Sequence, residues 1–365
     1  MNDSNNYDQL LSKIIDFLRF PLIVGVIFIH NYNSTILVEG KELGSSSFMP
    51  TYYYISNLFS EVIGRLSVPT FFFISGLLFF WHSEFNYNVY NKKIKKRIHT
   101  LLIPYVFWNL LHLILYYIIY RLYTNWVVGT DYNFCYIIKS LWGSFNIDGI
   151  ITSPISYQFW FIRDLMIMII ISPIIHYIIS RFKYIIIIPF IIWFLNYNFP
   201  YIGSAGISSC ALFFFTLGAF YSIHNYRLLF QNPRATQLIT SLYIIIAICD
   251  LFTKNLSYNL YIHNFGIIIG LYMLFNILVR PMKKGIIKNS FLLSSASFFI
   301  FAVHEPYILS QLKKIIYKNL QPNTDLEISF LYFLIVFATV IISLIIYKFF
   351  KKICPSFLKV ITGGR

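Results

Sequence analysis

The sequence predicts an all-α polytopic membrane protein, and both the composition and the length of the apolar segments lead to that prediction. The chain has 365 residues, of which 58% are hydrophobic and only 12% are charged, and its mean hydropathy is +0.66. Soluble domains carry about twice that share of charged residues. The apolar residues come in evenly spaced segments, many of them near the ~20 residues with which a helix crosses a bilayer. We therefore expect one bundle of transmembrane helices.

Ten apolar segments are candidate membrane spans. Two neighbouring ones, 184–199 and 205–222, are short, so the boundaries of this pair are the least defined. We expect a single domain over residues 1–365, with an N-terminal tail at about 1–13 and a C-terminal tail at about 349–365. The ten predicted spans are 14–32, 62–80, 101–122, 156–179, 184–199, 205–222, 236–252, 258–279, 291–311 and 329–348.

The lysines and arginines predict the orientation of the bundle. With the N-terminus in the cytoplasm, 19 of the 29 fall on the cytoplasmic side, 7 fall outside and 3 lie within spans. This asymmetry follows the positive-inside rule and predicts that both termini are cytoplasmic. The net charge is +15, and the basic residues that produce it flank the apolar spans. This pattern indicates topology signals and contact with anionic lipid rather than a nucleic-acid partner. The pattern carries no information on the oligomeric state.

Two ionisable residues in the first span, Arg19 and His30, are the most informative feature of the chain. Eleven residues advance a helix by three turns plus ~20°, so both side chains would lie on one face, ~16 Å apart along the axis. Ionisable groups inside a membrane are costly and are usually functional. Asp16 precedes Arg19 by three residues and is spaced for an ion pair with it, which would be either functional or a structural pair near the interface.

Further ionisable residues fall at a similar level, in the outer parts of the second, fourth and ninth spans. A shared, water-accessible cavity at that level would explain why each is tolerated. The structural alternative is that each is a satisfied partner in an interhelical hydrogen bond. The side chains of the adjacent pair Arg163 and Asp164 are expected to diverge, so that each needs its own partner. These residues are Arg65, Arg163, Asp164, His304 and Glu305. Glu61 lies just before Arg65, at the outer start of the second span, and is either part of this set or an interfacial residue.

Two predicted outer loops, about 31–61 and 123–155, are long and rich in aromatic residues. Their side chains could stack on sugar rings, or they could form the aromatic belt of a membrane interface. The residues concerned are Tyr52, Tyr53, Tyr54, Trp126, Tyr132 and Trp142.

A basic cluster at 92–97 precedes the third span. Such a cluster either determines topology or binds phosphate groups. The four cysteines and the remaining histidines fit no metal-ligand spacing, so no metal is expected. The sequence also lacks phosphate-binding loops, the GxSxG elbow and the HExxH motif.

Five segments, in order, resemble motifs of the acyltransferase-3 family of membrane acyltransferases. They extend from about residue 14 to residue 307, and the last span fits by position only. The segments are Asp16-Phe-Leu-Arg19 with His30, Val68-Pro-Thr-Phe-Phe-Phe-Ile-Ser-Gly76, Arg97 with Ile103-Pro-Tyr105 and Trp108, Phe159-Trp-Phe-Ile-Arg163, and Ala302-Val-His-Glu-Pro306.

The resemblance implies transfer of an acyl group, commonly acetyl, from cytoplasmic acyl-CoA to a hydroxyl of a sugar or other acceptor. It places the key histidine at His30 and the arginine of the first helix at Arg19. The family often has a second basic residue three positions after the first one of the basic loop. Here Arg97 is followed at that position by Thr100, with His99 beside it. A cell (cytoplasmic) membrane and an envelope polysaccharide acceptor are what the family's commonest members imply.

Roles that fit both the residues and the resemblance can be assigned. The basic side chains Lys93, Lys96, Arg97 and Arg19 would neutralise the phosphates of the acyl-CoA donor. His30 would act as general base toward the acceptor hydroxyl, or would itself become acylated first. A cation would stabilise the oxyanion, and an acidic group would orient a histidine. Candidates for these last two roles are Arg163 or Arg65, and Asp164 or Glu305; His304 completes the candidate catalytic set.

Two other functions use the same features. A transporter or flippase for a lipid-linked glycan would also need charged groups at mid-membrane, and it predicts inverted repeats and Gly/Pro-broken helices in paired positions. A non-catalytic assembly partner of an envelope complex predicts that the polar residues tolerate substitution.

Overall fold

Helices make up most of the computed structural model, which describes residues 2–32, 37–38, 41–42, 47–81, 85–122, 134–145, 151–196 and 207–364. The α-helices are α1 Asn2–Asn31, α2 Pro50–Ser56, α3 Ser67–Phe80, α4 Tyr87–Arg97, α5 Ile103–Leu122, α6 Phe134–Trp142, α7 Trp160–Ile170, α8 Ser172–Arg181, α9 Ile187–Phe194, α10 Ser209–Ile223, α11 Pro233–Phe252, α12 Asn259–Ile277, α13 Val279–Lys283, α14 Phe291–Val303, α15 Leu309–Leu320, α16 Asp325–Ile353 and α17 Pro355–Ile361.

Short irregular elements connect these helices. Wider π-helical turns cover Asn57–Ile63, Ile98–Leu102 and His304–Ile308, and 3-10 turns cover Gly64–Leu66, Tyr157–Phe159 and Lys183–Ile186. Two antiparallel strand pairs are only two or three residues long: β1 Leu37–Val38 with β2 Lys41–Glu42, and β3 Ser144–Phe145 with β4 Ile151–Ser153.

Six helical stretches of the described chain are long and apolar enough to cross a membrane: Pro50–Phe80, Tyr87–Ile118, Pro233–Phe252, Asn259–Lys283, Phe291–Leu320 and Asp325–Ile353. Each overlaps one predicted span. The predicted span 156–179 corresponds to α7 and α8, which are bent by 59° and would make a seventh if they cross together. Spans 184–199 and 205–222 overlap shorter apolar helices, and span 14–32 overlaps α1. The protein is thus an all-helical, multi-pass membrane protein, while ten spans and cytoplasmic termini stay predictions.

The chain packs as two compact units, the first formed by residues 1–74 and 225–348 and the second by 75–224 and 349–365. In the first unit, α1 packs against α14 and against the turns at 57–66, and α11 pairs with α12. Gly25 and Gly64 allow α1 to lie close to the turns at 57–66. A Cβ at Gly25 would overlap Ser67 Oγ, and one at Gly64 would lie 3.0 Å from the Gly25 carbonyl oxygen. Small residues let membrane helices approach closely in this way.

In the second unit, α10 packs against α7, α8 and α9, and α5 packs against α6 and α17. The C-terminal helix α17 is held to α5 by a hydrogen bond from Trp108 Nε1 to the Ile361 carbonyl, at 3.0 Å. Phe107 and Phe357 pack beside it, with ring centroids 5.6 Å apart. The segment predicted to be a C-terminal tail is therefore helical and docked. The prediction of a single domain over 1–365 remains a prediction.

The helical path from Phe291 to Leu320 is broken after His304. Glu305 has extended dihedral angles (φ −127°, ψ 143°) between two helical segments. Pro306 follows it, and a proline disfavours the helical conformation of the residue before it while lacking an N–H of its own. The break therefore follows from the sequence His304-Glu305-Pro306 and places two polar side chains, those of His304 and Glu305, where the helix is interrupted.

Candidate active site

His30 and His304 lie side by side in the first unit. Their ring centroids are 5.1 Å apart and the rings are inclined by 45°. His30 is partly exposed near the end of α1, whereas His304 is completely buried at the start of the break that follows α14. Two predicted catalytic residues separated by 274 positions in the sequence are thus brought together by the packing of α1 on α14.

Hydrogen bonds fix the end of α1 that carries His30. Ser60 Oγ donates to the carbonyl of Phe28 at 2.5 Å, and the Tyr332 hydroxyl, 2.6 Å away, therefore donates to Ser60 Oγ. Asn31 Nδ2 donates to the Tyr332 carbonyl at 2.8 Å. Buried polar groups of this kind are expensive unless they are paired. The pairing therefore specifies where the last turn of α1, and with it His30, is placed.

The tautomer of neutral His304 follows from its surroundings. His304 Nδ1 lies 2.7 Å from the Phe301 carbonyl oxygen. Because a carbonyl only accepts, Nδ1 must carry the proton, and the neutral ring then has a lone pair on Nε2. Among the described residues Nε2 has no hydrogen-bond partner, although it is buried. His304 thus offers a buried acceptor beside His30.

Two charged residues lie near the histidine pair: Glu305 at the break, and Lys313 on the helix α15 that follows it. Glu305 Oε2 accepts a hydrogen bond from Ser310 Oγ at 2.5 Å. Lys313 Nζ donates to the main-chain carbonyl of His30 at 2.8 Å and interacts electrostatically with Glu305. Sequence reasoning missed Lys313, because it lies beyond the predicted span 291–311 and looked like an outer-loop charge. Its spacing of eight residues from Glu305 is the only signal that could have pointed to it.

Arg65 also belongs to the surroundings of His30. It forms an ion pair with Glu61 at 2.9 Å, and Arg65 and Lys313 both act on His30 electrostatically. The side chain of Arg65 is 45% exposed. Of the two arginines predicted for oxyanion stabilisation, Arg65 is therefore a partly accessible cation in the same unit as the histidine pair.

Arg19 pairs with Asp16, as the spacing predicts, with a distance of 3.2 Å between Arg19 Nη1 and Asp16 Oδ1. Both side chains are about two-fifths exposed, so the pair contributes little to stability. Because α1 is helical through both Arg19 and His30, these residues remain ~16 Å apart along the axis. The structure does not bring Arg19 to the histidine pair, and its role in donor binding stays a prediction.

Arg163 and Asp164 correct the expectation that their side chains diverge. Both are buried in the second unit, and Arg163 Nη2 lies 3.1 Å from Asp164 Oδ1. Arg163 also donates to the Trp142 carbonyl at 3.1 Å, while Asp164 Oδ2 accepts from the Ser208 main-chain N–H at 3.1 Å. The expectation was wrong because both side chains are buried, and a buried charge is costly unless it is paired.

The basic cluster at 92–97 lies in the second half of α4. Lys93 Nζ donates to the Phe79 carbonyl and lies 5.2 Å from the centre of the Phe79 ring. Lys96 is exposed and Arg97 is partly exposed. Lys93 thus has a partner of its own, and a phosphate-binding role for the cluster stays a prediction.

The aromatic residues predicted in the outer loops divide into buried and exposed ones. Tyr52 and Tyr53 are buried, whereas Tyr54 and Trp142 are each 38% exposed. Trp126 and Tyr132 lie outside the described residues. Within the described ranges, no group of three or more His, Cys, Asp or Glu side chains could hold a metal ion, and the absence of a metal stays a prediction.

Known proteins provide an independent view of the chain. The sequence model of the acyltransferase-3 family, described as an acyltransferase domain, matches residues 12–348. The chain is also 24% identical to the succinoglycan biosynthesis protein ExoH of Rhizobium meliloti (strain 1021), over 98% of this chain and 94% of the relative. No solved structure matches it significantly. The chain is therefore a multi-pass membrane enzyme that transfers acyl groups, and it belongs to the acyltransferase-3 family.

Proposed function

We propose that this enzyme moves an acyl group, with acetyl as the first expectation, from cytoplasmic acyl-CoA to a hydroxyl of an envelope glycan in the cell membrane. The observation that carries the chemical part of the proposal is the pair His30–His304, with the Nε2 lone pair of His304 buried beside His30. The name of the relative, a succinoglycan biosynthesis protein, supports a glycan as acceptor.

His30 takes the proton of the acceptor hydroxyl as the oxygen attacks the thioester carbon. His304 accepts a hydrogen bond through Nε2 and so holds either the His30 ring or the hydroxyl in position. Its own orientation is fixed by the Phe301 carbonyl, much as a third group orients the base in a catalytic triad.

Arg65 is the proposed cation for the oxyanion, since it acts on His30 electrostatically and keeps part of its side chain accessible. When the tetrahedral species collapses, the carbon–sulfur bond breaks and the proton passes from His30 to the departing thiolate. The products are the glycan ester and the free thiol, so the proton balance closes within the site.

The remaining predicted residues keep narrower roles in the proposal. Arg163 and Asp164 satisfy each other and their neighbours, so we assign them to the stability of the second unit. Lys93, Lys96, Arg97 and Arg19 are retained as the cations that neutralise the donor's phosphates.

The transport alternative predicts broken helices, and the interruption at Glu305 and the 59° bend between α7 and α8 are such breaks. Membership of an acyltransferase family, however, supports group transfer. The break at Glu305 is then explained by its position beside the histidine pair.

Mass spectrometry of envelope glycans tests the proposed function. Four strains are compared: the gene deletion, and the deletion complemented with wild type, with His30→Ala, or with His224→Gln at matched expression. The control residue His224 lies in the other unit and bonds the Ile179 carbonyl. We expect an ester-sized mass to be lost on deletion and restored by wild type and His224→Gln, but not by His30→Ala. Equal acylation in all four strains would contradict the proposal.

A further inference from the structure

Another histidine, His263, lies in the first turns of α12 and bonds a carboxylate at the end of α11. It belongs to the same unit as His30. Asp250 is buried in the last turn of α11, and three side chains donate to its carboxylate. They are His263 Nδ1 at 2.8 Å, Lys254 Nζ at 2.9 Å and Asn259 Nδ2 at 2.8 Å. The carboxylate on α11 is thus held in place by donors from α12 and from the loop between the two helices.

The orientation of His263 has a chemical consequence. A carboxylate only accepts hydrogen bonds, so Nδ1 of His263 carries a proton and the neutral ring has its lone pair on Nε2. The side chain is 17% exposed, and the hydrogen bond that its ring makes to the described residues is the one through Nδ1. Lys254 and Asn259 alone would hold the Asp250 carboxylate in place. His263 adds a partly exposed ring whose orientation is fixed through Nδ1, so that Nε2 can bind another group.

A row of polar groups connects Asp250 and His263 to the candidate active site. Lys254 Nζ also lies 3.4 Å from the Glu61 carbonyl oxygen. Glu61 holds Arg65, which acts on His30 electrostatically. The contacts therefore run from Asp250 and His263 through Lys254 to the main chain of Glu61. The carboxylate of Glu61 holds Arg65, and the last step, from Arg65 to His30, is electrostatic.

Exposed aromatic rings lie beside the same end of α11. Phe252 is 67% exposed, and its ring centroid lies 5.5 Å from that of Tyr54, which is 38% exposed. Saccharides present hydroxyls that both donate and accept, and they also have apolar ring faces. A row of paired polar groups flanked by exposed aromatic rings matches both properties.

We propose that Asp250 and His263 form an acceptor subsite, in which His263 Nε2 hydrogen-bonds a saccharide hydroxyl other than the one that is acylated. Phe252 and Tyr54 pack against a sugar face at this subsite. The inference rests on the proposed function, since it takes the acceptor to be a glycan.

Two substitutions of His263 separate its proposed contact with the glycan from its hydrogen bond to Asp250. In His263→Asn the amide nitrogen replaces Nδ1, so the bond to Asp250 is kept and the group at Nε2 is lost. In His263→Gln the longer side chain places its amide near the position of Nε2 and retains a polar contact there. His224→Gln is the matched control in the other unit.

The assay uses the full-length protein in lipid nanodiscs, radiolabelled acetyl-CoA, and unacylated glycan purified from the deletion strain as the acceptor probe. We expect His263→Asn to raise the KM for glycan about tenfold, the effect of one lost hydrogen bond of about 1.4 kcal/mol. The KM for acetyl-CoA should change less than about twofold, and His263→Gln should recover part of the loss.

An unchanged glycan KM in a folded His263→Asn protein would overturn the subsite alone, because wild type still acylates the glycan. Equal increases in both KM values would also overturn it. If wild type itself transfers no label to the glycan, the proposed function fails and the subsite fails with it. Should His263→Asn not fold, the exposed position Phe252 decides: Phe252→Ala raises the glycan KM several-fold if the subsite exists, and an unchanged value contradicts it.

Discussion

Lys313 Nζ donates a hydrogen bond to the main-chain carbonyl of His30, at 2.8 Å. The helix that follows the break at Glu305 thereby holds the end of the helix that carries His30. The carbonyls of the last turn of a helix have no partner within that helix, so a cation there also complements the negative end of the helix dipole. The Lys313 side chain thus connects the helix after the break to the main chain of His30.

Replacing this lysine should impair the reaction more than the fold. We predict that Lys313→Met lowers kcat by about 10- to 100-fold, because small displacements of a catalytic group have effects of that size. Lys313→Arg, which keeps the charge and a donor, should retain more activity. Acyl transfer by the purified variants measures kcat, and their melting temperatures show whether the fold is kept. Full activity of Lys313→Met would show that the contact does not position His30.

His304 can be tested through its two nitrogens separately. His304→Asn keeps a donor for the Phe301 carbonyl but has nothing at the Nε2 position. We predict a loss of about 10²-fold or more in kcat, the range of positioned acid–base groups. The melting temperature should stay close to wild type, since the buried hydrogen bond survives. A His304→Asn enzyme with wild-type kcat would assign His304 to structure only.

The Arg163–Asp164 pair should matter for stability. Removing one charge leaves the other buried and unpaired, which costs about 3–5 kcal/mol. We therefore predict a large fall in thermal stability for Arg163→Met and a smaller one for the double variant Arg163→Met/Asp164→Leu. Thermal unfolding in detergent, analysed as a double-mutant cycle, measures the difference. If the losses from Arg163→Met and from Asp164→Leu add up to the loss in the double variant, the pairing is ruled out.

The docked C-terminus offers a matched pair of glycines. Gly363 and Gly364 both have positive φ, at +69° and +76°. A Cβ at Gly363 would overlap the main chain of Thr100, whereas at Gly364 the nearest atom is Lys359 Cε at 3.9 Å. Alanine at either position costs about 1–2 kcal/mol for the left-handed conformation. We predict an additional loss for Gly363→Ala, seen as a lower melting temperature than for Gly364→Ala. Equal melting temperatures would contradict the close approach to Thr100.

The sequence predicts those parts of the site that depend on local pattern. The spacing of Asp16 and Arg19 on one helix predicts their ion pair, and the apolar segments predict where the long helices lie. His30 and His304 could be selected singly, because an ionisable residue in an apolar segment stands out. Their contact could not be predicted, because it depends on how α1 packs on α14.

Other parts depend on three-dimensional context. Lys313 looks like a loop residue in a hydropathy pattern, and His263 lies in the predicted span 258–279 but fits no metal-ligand spacing. Only packing gives them Glu305 and Asp250 as neighbours. The pairing of Arg163 with Asp164 depends on side-chain conformations in a buried site, which spacing does not encode. The break at Glu305, by contrast, could have been predicted from Pro306.

The most direct test of the central claim is acyl transfer by the purified enzyme. Full-length protein in nanodiscs is given radiolabelled acetyl-CoA and unacylated glycan from the deletion strain, and label in the glycan is counted for wild type and for His30→Ala. The account predicts label with wild type and only background with His30→Ala in a folded protein. Equal labelling by the two proteins would contradict the assignment of His30 to the chemistry.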